Sequence, residues 1–358
     1  MKERIRVGVV GCGYWGPNLV RNFAKLPGCQ MKVICDLDIG RLNHLKSLFP
    51  AVEVSTSFDE LVARPDVDAL MIATSACSHY SMARQSLLAG KHTMVEKPMA
   101  TSSAECDDLI QLAAERGLTL MVGHTFLYSA PVRRIREIVT SGQIGELRYI
   151  SARRLNLGLF QRDINVTWDL APHDISIILY LTDALPHSVN CQGNSHVTKG
   201  VEDVTSMCIN FEQGMFATVQ NSWLDPRKVR EMTIVGSQQM IVYDDVQPLE
   251  KVRIYDVRVE MPPHYDTFAE FQFSYHYGDS VIPYVKQEEP LKVECQHFLE
   301  CIRSGARPLT DGVHGARVVR ILEASSKSLR EKGASVPLDR SAFASGVRPV
   351  EKSRLISA

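Results

Sequence analysis

The sequence contains no Cys-x-x-Cys pair, no apolar stretch long enough to span a membrane and no marked excess of either charge. Its nine cysteines, an odd number, are scattered, which favours buried thiols in a reducing compartment over disulfides or a zinc site. A net charge of −1 gives no reason to expect nucleic acid or a membrane surface as a partner. In the absence of a signal-peptide or membrane pattern, we expect a cytoplasmic protein that binds no metal.

What the sequence does contain is a globular composition and an early alternation of strand and helix patterns. With 358 residues, 45% of them hydrophobic, the chain is long enough for two domains. Short apolar runs that alternate with helical spacing predict an α/β fold with a doubly wound parallel sheet over residues 1–125. Residues 126–358 show longer alternating strands and tight turns, which predict an α+β domain with a large, mostly antiparallel, open-faced sheet.

A glycine-rich turn follows the first apolar run, Ile5 to Val10, and precedes a helical pattern. In such a turn the first glycine permits the tight bend, the second lets the backbone approach a pyrophosphate, and the third lets the helix pack closely on the strand. The order of strand, turn, helix and second strand predicts dinucleotide binding, although a structural glycine turn in another βαβ protein has a similar pattern. The cofactor-binding residues predicted here are Gly11, Gly13, Tyr14, Trp15 and Gly16.

The second predicted strand, Met31 to Cys35, ends in Asp36 about twenty residues after the last glycine, where a ribose-binding acid is expected. The carboxylate would accept hydrogen bonds from the ribose hydroxyls and repel a 2′-phosphate, so we expect NAD rather than NADP. Arg41, further along the next helix, could instead reach a phosphate and favour NADP.

Several polar residues follow the apolar strands of the first domain. Because the carboxyl ends of parallel strands meet at one crevice, we expect these residues to lie beside the cofactor. They are Thr74, Ser75, His79, Glu96, Lys97 and His124. In this set His79 is placed before a helix predicted from Tyr80 to Ala89.

The segment Met94 to Pro98 combines a strand end with a carboxylate, an ammonium and a proline. Pro98 cannot continue a sheet ladder and favours extended geometry at Lys97, which would point the lysine into the crevice. Glu96 beside it would favour the charged lysine. The alternative is a surface turn with a chance ion pair.

One predicted helix of the second domain, roughly Trp168 to Leu181, carries Asp169 and His173 at positions i and i+4. Residues at this spacing share a helix face, so the carboxylate could orient the imidazole and support its protonated form, as a general acid–base histidine requires. A solvated pair favoured by the helix dipole would show the same spacing.

These motifs together resemble the glucose-fructose oxidoreductase/inositol dehydrogenase family, also called Gfo/Idh/MocA, over nearly the whole chain. The matching features are the glycine turn, Ala73-Thr74 with His79, Glu96-Lys97-Pro98, and Asp169-x-x-x-His173. The resemblance implies that Lys97 and His173 are the catalytic residues. The segment Gly123 to Leu127 departs from the family, which usually has Asn or Arg after the glycine.

For an enzyme of this kind, the chemistry is hydride transfer between a sugar carbon and nicotinamide, with a proton acceptor for the hydroxyl. We assign His173 as the acceptor and Lys97 as the group that stabilises alkoxide charge, although the two roles could be exchanged. Asp169 would orient His173 and could bind a sugar hydroxyl.

The segment from Arg153 to Asn165 supplies the remaining candidates for substrate binding. Its arginines could pair with a diphosphate or a carboxylate, and the segment is similar to the family branch that acts on nucleotide sugars, including UDP-N-acetyl-glucosaminuronate 3-dehydrogenases. Alternatively, Arg153 and Arg154 line a solvated sheet face. The predicted substrate-binding residues are Lys97, Arg154, Asn156, Asn165, Asp169 and His173.

Three functions remain open from the sequence. They are an NAD-dependent sugar-nucleotide dehydrogenase acting at C3, a free polyol or aldose dehydrogenase, and a non-catalytic ligand-sensing regulator. The lysine and histidine together argue against the regulator. Apolar residues on both alternations of Met215 to Ser222, and the resemblance itself, predict a homodimer or homotetramer built on the open sheet face.

Overall fold

The computed structural model describes residues 4–161, 164–260 and 274–339. Its first sheet consists of parallel strands β1 (Ile5–Val10), β2 (Cys29–Cys35), β3 (Glu53–Ser55), β4 (Ala69–Ile72), β5 (His92–Glu96) and β6 (Leu120–Gly123). They are arranged in the order β3-β2-β1-β4-β5-β6. The strand order changes direction between β1 and β4, so the crevice for a ligand lies outside the carboxyl ends at that point. The predicted doubly wound sheet is confirmed.

The connections between these strands are α1 (Gly16–Lys25), α2 (Ile39–Leu48), α3 (Phe58–Val62), α4 (Ala76–Leu88) and α5 (Ser103–Arg116). In α1 the buried residues Leu19, Val20 and Phe23 recur at helical spacing, and a proline occupies the first turn, where its missing N–H costs nothing. Helix α5 is capped by Ser102, which accepts a hydrogen bond from the N–H of Glu105, and it stops at Gly117 with φ of 64°.

Helix α4 begins four residues before the predicted start at Tyr80. Ser75 takes the extended N-cap conformation, and no helix-breaking residue separates it from the helical pattern. Consequently His79 lies within the first turns of a helix. The sequence analysis had placed it in a loop at the strand end.

The second sheet contains β7 (Leu147–Leu157), β8 (Pro186–Asn194), β9 (Val204–Phe211), β10 (Phe216–Ser222), β11 (Leu224–Gly236), β12 (Met240–Asp244), β13 (Val252–Glu260), β14 (Ser274–Val281) and β15 (Val336–Pro337). Their order is β14-β13-β12-β11-β7-β10-β9-β8-β15. Within the described residues only β7 and β10 pair in parallel, so the prediction of a mostly antiparallel sheet is confirmed.

The sequence analysis did not predict β13, β14 or β15, and of these three strands β14 lies in the region from Pro262 to Pro290, which gave no clear pattern. Of that region, residues 261–273 lie outside the described residues, and so does the tail after Ser341 for which irregular structure was predicted.

The helices of this half of the chain are α6 (Ala130–Thr140), α7 (Val166–Thr182), α8 (Pro290–Ser304) and α9 (Gly312–Arg330). Helices α7 and α9 cover one face of the sheet, while α6 packs on α7 and α8 packs on α1 of the first domain. Along β7, Ile150, Ala152 and Arg154 are buried on the covered face, while Tyr149 and Arg153 point the other way and are exposed. Neighbouring residues of a strand face opposite sides, so the two arginines cannot line one face together. Tyr149 stacks on Phe216 of β10 on the open face, with ring centroids 5.6 Å apart.

The chain returns to the first sheet after α8. The N–H of Val122 in β6 donates to the carbonyl of Thr310 at 2.8 Å, and the Thr310 hydroxyl donates back to the Val122 carbonyl at 2.7 Å. Met121 and Asp311 form an antiparallel bridge beside them. These contacts continue into the start of α9, which fixes the second half of the chain against the edge of the first sheet.

Candidate active site

The glycine turn between β1 and α1 is closely packed at its ends and open in its middle. Gly11 has φ of 92°, and a Cβ there would lie 2.5 Å from the Ala73 carbonyl oxygen. A Cβ on Gly16 would lie 2.0 Å from the Gly11 carbonyl oxygen. At Gly13 the nearest atom would be an Arg41 nitrogen 3.7 Å away, which leaves backbone accessible to a phosphate. Tyr14 is exposed, and Trp15 is half-buried.

Asp36 stands directly after β2, with 11% of its side chain exposed. One carboxylate oxygen accepts the N–H of Cys12 in the glycine turn at 2.6 Å, and the other accepts the N–H of Asp38 at 2.8 Å. The carboxylate is therefore held beside the turn that would bind the pyrophosphate. The Arg41 guanidinium, about half exposed, lies 3.9 Å from Asp36 and 3.4 Å from Asp38, so two carboxylates face this cation.

The residues after β4 stabilise the crevice wall. The Ser78 hydroxyl donates to Thr74 at 2.8 Å, while Ser75 is exposed at the start of α4. His79 is 1% exposed, and its ring nitrogens lie 2.7 Å from the Pro98 carbonyl and 3.1 Å from the Thr74 carbonyl. The prediction that His79 contacts the cofactor is thus not supported by its position; the ring connects the ends of β4 and β5.

Lys97 extends from the end of β5 across to α7. Its ammonium donates to the backbone carbonyl of Asp169 at 2.7 Å and lies 3.5 Å from the Asp169 carboxylate. That carboxylate also accepts the indole N–H of Trp223 at 3.1 Å. Lys97 and Asp169 are 20% and 26% exposed, so both stay accessible from the crevice. The expected segment is present, but the partner of the lysine is Asp169 and not its neighbour Glu96.

Glu96 points into the protein interior. Its carboxylate accepts the N–H of Lys97 at 3.2 Å, and burial raises its pKa to about 7 although Lys97 opposes the rise. Glu294 of α8 is also buried and accepts the Thr125 hydroxyl at 2.7 Å. Its pKa is raised well above the usual range, mainly by burial and secondarily by Glu96. The two buried carboxyl groups are thus close enough to interact electrostatically, and the protonated form of Glu294 is favoured.

His173 lies on α7, one turn after Asp169, and is half-buried, with its Nδ1 atom out of contact with solvent. Its ring meets the ring of Phe126 edge-on, with centroids 5.1 Å apart. Among the described residues Nδ1 has no hydrogen-bond partner. The pKa of His173 is well below the ordinary value because of burial first and then the positive charge of Lys97 and Arg154. The imidazole is therefore neutral at pH 7.

This geometry corrects the predicted role of Asp169. The i, i+4 spacing is present, but the described residues show no hydrogen bond between the Asp169 carboxylate and His173, because Trp223 and Lys97 hold the carboxylate. Asp169 organises the lysine, while the histidine is packed against aromatic and cationic groups.

His124, after β6, is 1% exposed and lies edge-on to His314 of α9, with ring centroids 5.3 Å apart. Neither nitrogen of His124 has a hydrogen-bond partner among the described residues. Its pKa is well below the usual value because of burial, with further lowering by His314 and Lys97. His124 is therefore a neutral ring close to Lys97, at the inner end of the crevice.

The three predicted substrate residues before α7 are placed differently from one another. Arg154 is buried, and its guanidinium makes a bidentate pair with Asp174 at 2.8 Å for both bonds, so it is not available to a substrate. Asn165 caps α7 by accepting the Trp168 N–H and donates to Glu202. Asn156 is half-buried near the carboxyl end of β7.

Several residues that build this crevice were not found from the sequence: Phe126, Asp174, Trp223, Glu294 and His314. Asp174 directly follows His173 and precedes the mostly apolar second half of α7, so its charge there was a usable signal. The others come from a loop, a strand end and two distant helices. No local pattern connects them to the site.

The residues present fit a nicotinamide dinucleotide. The backbone of the turn is open at Gly13, the Asp36 carboxylate is held where a ribose would lie, and Lys97 and His124 approach the carboxyl ends of β5 and β6. These features define a class, the oxidoreductases that bind NAD on a Rossmann sheet.

Matches to protein families agree with this class. Residues 5–124 match the model described as oxidoreductase family, NAD-binding Rossmann fold, and residues 132–242 match the GFO/IDH/MocA C-terminal domain. The chain belongs to the Gfo/Idh/MocA oxidoreductase family. It is an NAD-binding enzyme of a family that contains sugar dehydrogenases.

Individual relatives cover most of the chain at low identity. UDP-N-acetylglucosamine 3-dehydrogenase from Acidithiobacillus ferrooxidans is 27% identical over 337 residues, which are 88% of this chain and 94% of the relative. Myo-inositol 2-dehydrogenase from Thermotoga maritima is 23% identical over 342 residues, 92% of this chain and 97% of the relative.

Solved structures share the fold. The structure of the Acidithiobacillus ferrooxidans UDP-N-acetylglucosamine 3-dehydrogenase has a TM-score of 0.77 at 25% identity, covering 92% of this chain and 99% of that one. GenD2 from gentamicin A biosynthesis, solved in complex with NAD, has a TM-score of 0.80 at 21% identity, covering 95% and 97%. None of the described helices of the present protein is long and apolar enough to cross a membrane.

Proposed function

We propose that the protein transfers a hydride between NAD and C3 of a UDP-(N-acetyl)sugar or uronate. The observation that carries this proposal is the proximity of Lys97, held by Asp169 at the end of β5, to the neutral ring of His173. The likeness to a UDP-N-acetylglucosamine 3-dehydrogenase over 88% of the chain supports the substrate class.

In this mechanism the oxidised nicotinamide, when bound, supplies the hydride acceptor. Lys97 donates a hydrogen bond to the reacting hydroxyl oxygen and stabilises the negative charge that develops there. His173, being neutral, accepts the hydroxyl proton and later releases it to water. Asp169 keeps the lysine in place through its carbonyl and carboxylate oxygens, and its exposed part is available to a neighbouring sugar hydroxyl.

A free polyol or aldose is the second candidate, and one observation favours it. The arginine that could have paired with a diphosphate, Arg154, is occupied by Asp174 in the interior, while Arg153 points to the open face. A nucleotide would then need other groups. The inositol dehydrogenase relative supports this alternative to the same modest extent.

A substrate screen separates the two candidates. Purified protein with NAD is mixed with UDP-N-acetylglucosamine, its uronate, free UDP, myo-inositol or glucose, and absorbance at the NADH band is followed. We expect NAD to be reduced when a UDP-sugar is present, and we expect free UDP to inhibit that reaction competitively. Reduction with inositol or glucose, together with no inhibition by UDP, would contradict the nucleotide-sugar proposal.

We also propose that the protein is a homodimer or homotetramer associated through the open sheet face. Tyr149 and Phe216 are stacked there while 36% and 38% exposed, an apolar pair that another subunit could cover. Light scattering at micromolar concentration should give a multiple of the 40.0 kDa chain mass, and a monomer would refute the proposal.

A further inference from the structure

A buried cation, an aromatic ring and the proposed proton acceptor lie in contact, one after the other, in the second domain. The Arg154 guanidinium carbon lies 4.8 Å from the centroid of the Phe126 ring. Phe126 also contacts His173: the two rings meet edge-on, with centroids 5.1 Å apart and an interplanar angle of 71°. Phe126 therefore connects a buried charge to the imidazole through direct ring contacts.

The charge in this stack is held rigidly. Asp174, the residue after His173 in α7, accepts two parallel hydrogen bonds from Arg154, and the two side chains are only 4% and 5% exposed. A buried ion pair is seldom worth more to stability than well-packed apolar residues, since both ions lose their hydration. A pair placed one residue from the proposed acceptor suggests a role beyond stability.

Several basic groups near His173 disfavour its protonated form. The groups that lower its pKa, after burial, are Lys97, Arg154, His124 and Arg230. Arg230 pairs with Arg154 in the sheet register, and Arg154 is compensated by Asp174. The carboxylate on the same helix, Asp169, interacts with Lys97 and Trp223.

We propose that the Arg154–Asp174 pair, acting through the ring of Phe126, is a positioning unit that orients the His173 imidazole and keeps it in its neutral form. A neutral ring can accept a proton from a sugar hydroxyl, whereas an imidazolium cannot. The same positive surroundings favour the negative charge that develops on the reacting oxygen. The proposal deepens the proposed function and rests on it for the meaning of a neutral His173.

The direct test is an NMR titration of His173 in the intact protein labelled with ¹³C-histidine, with the resonance assigned by its loss in His173→Gln. Removing a nearby positive charge favours the imidazolium, so the pH at the midpoint of the His173 titration should rise. In Arg154→Met/Asp174→Leu, which replaces the pair by apolar groups, we expect a rise of about 0.5–1.5 pH units. In Arg154→Gln the rise should be larger, because Asp174 is left without a compensating charge.

Two controls separate charge from general damage to the fold. Arg154→Lys keeps the charge without the planar fork, so its midpoint should stay close to wild type. Arg153→Gln changes the neighbouring arginine on the opposite sheet face and should not shift the midpoint. An unshifted midpoint in folded Arg154→Gln, or an equal shift in Arg153→Gln, would overturn the proposal. If Arg154→Gln, which leaves a buried carboxylate unpaired, does not fold, the double variant decides alone, and an unshifted midpoint in it would overturn the proposal.

Kinetics distinguish a failure of this inference from a failure of the proposed function. With NAD and UDP-N-acetylglucosamine as the probe, kcat/KM should fall at low pH as His173 is protonated, and this acid limb should move to higher pH in Arg154→Gln. His173→Gln should abolish the limb. If the NMR midpoint moves as expected but the limb persists in His173→Gln, the positioning is correct and the proton acceptor is misassigned.

Discussion

The glycine turn and the proposed catalytic crevice are built in opposite ways. The turn uses neighbouring residues and backbone geometry, from Gly11 to Asp36, and its parts contact each other directly. The crevice combines a strand end, a helix and a strand terminus that are far apart in sequence, represented by Lys97, His173 and Trp223. The contacts within a site built from neighbouring residues can be derived from a sequence motif. For a site built from distant segments, motifs identify individual residues but not which of them contact each other.

The largest effects are expected at the two basic residues of the crevice. Lys97→Ala and His173→Ala should each lower turnover by about 10²–10⁴-fold, the usual contribution of a positioned acid–base group. The affinity for NADH should change much less, since neither residue lies in the glycine turn. Steady-state kinetics and a binding titration measure both quantities.

The exposed residues Lys25 and His187 provide matched controls for these variants. Lys25→Ala and His187→Ala should retain wild-type turnover. Near-normal turnover in His173→Ala would assign the proton acceptor to Lys97, and full activity in both crevice variants would disprove the site.

The contiguous site should respond to a single methyl group. Gly16→Ala places a Cβ 2.0 Å from a backbone oxygen, so the turn must shift, and we expect a loss of about 1–3 kcal/mol in the free energy of unfolding. Gly13→Ala has room at 3.7 Å and should leave the free protein nearly as stable. Thermal unfolding without cofactor compares them, and equal losses would refute the packing argument.

Coenzyme preference should depend on one carboxylate. Asp36→Asn removes the charge that repels a 2′-phosphate but keeps an oxygen for the Cys12 N–H. We expect the preference for NADH over NADPH to fall by about 10-fold. Dissociation constants for both coenzymes test this, with Asp38→Asn as the control. Tighter binding of NADPH by the wild type would show that Arg41 outweighs Asp36.

A smaller effect on turnover tests whether Asp169 acts through Lys97, its observed partner, or through His173, its predicted partner. Asp169→Asn should reduce turnover about 5–10-fold through the loss of one charge-assisted contact with Lys97. Combined with Lys97→Ala it should add little, whereas combined with His173→Ala its effect should be nearly additive. If Asp169→Asn instead added little to His173→Ala and was additive with Lys97→Ala, the predicted role of Asp169 in orienting His173 would be correct.

The fold and the cofactor turn followed from the sequence because periodicity and glycine spacing are local properties. The identity of the crevice residues Lys97, Asp169 and His173 followed from motifs, but their pairing did not. An i, i+4 spacing permits a contact without requiring it, and Trp223, more than fifty positions away, takes the Asp169 carboxylate instead.

Arg154 shows a second reason why the sequence analysis misassigned a residue: it was predicted to bind substrate. Arginines near a substrate loop favour anion binding in general, but strand alternation decides which face each one occupies. Register with the buried neighbours Ile150 and Ala152 places Arg154 inside, where Asp174 satisfies it. Applying the alternation to the arginines themselves would have separated Arg153 from Arg154 in advance.

The return of the chain from Thr310 to the edge of β6 has a consequence for protein engineering. In the intact chain, the backbone of Val122 is paired with a segment almost two hundred residues later. A fragment cut at residue 125 would expose that edge strand, with its apolar side chains, as a template for pairing with other chains. The cofactor-binding half is therefore a poor module to transplant alone, and grafts between relatives should carry the segment around Thr310 with it.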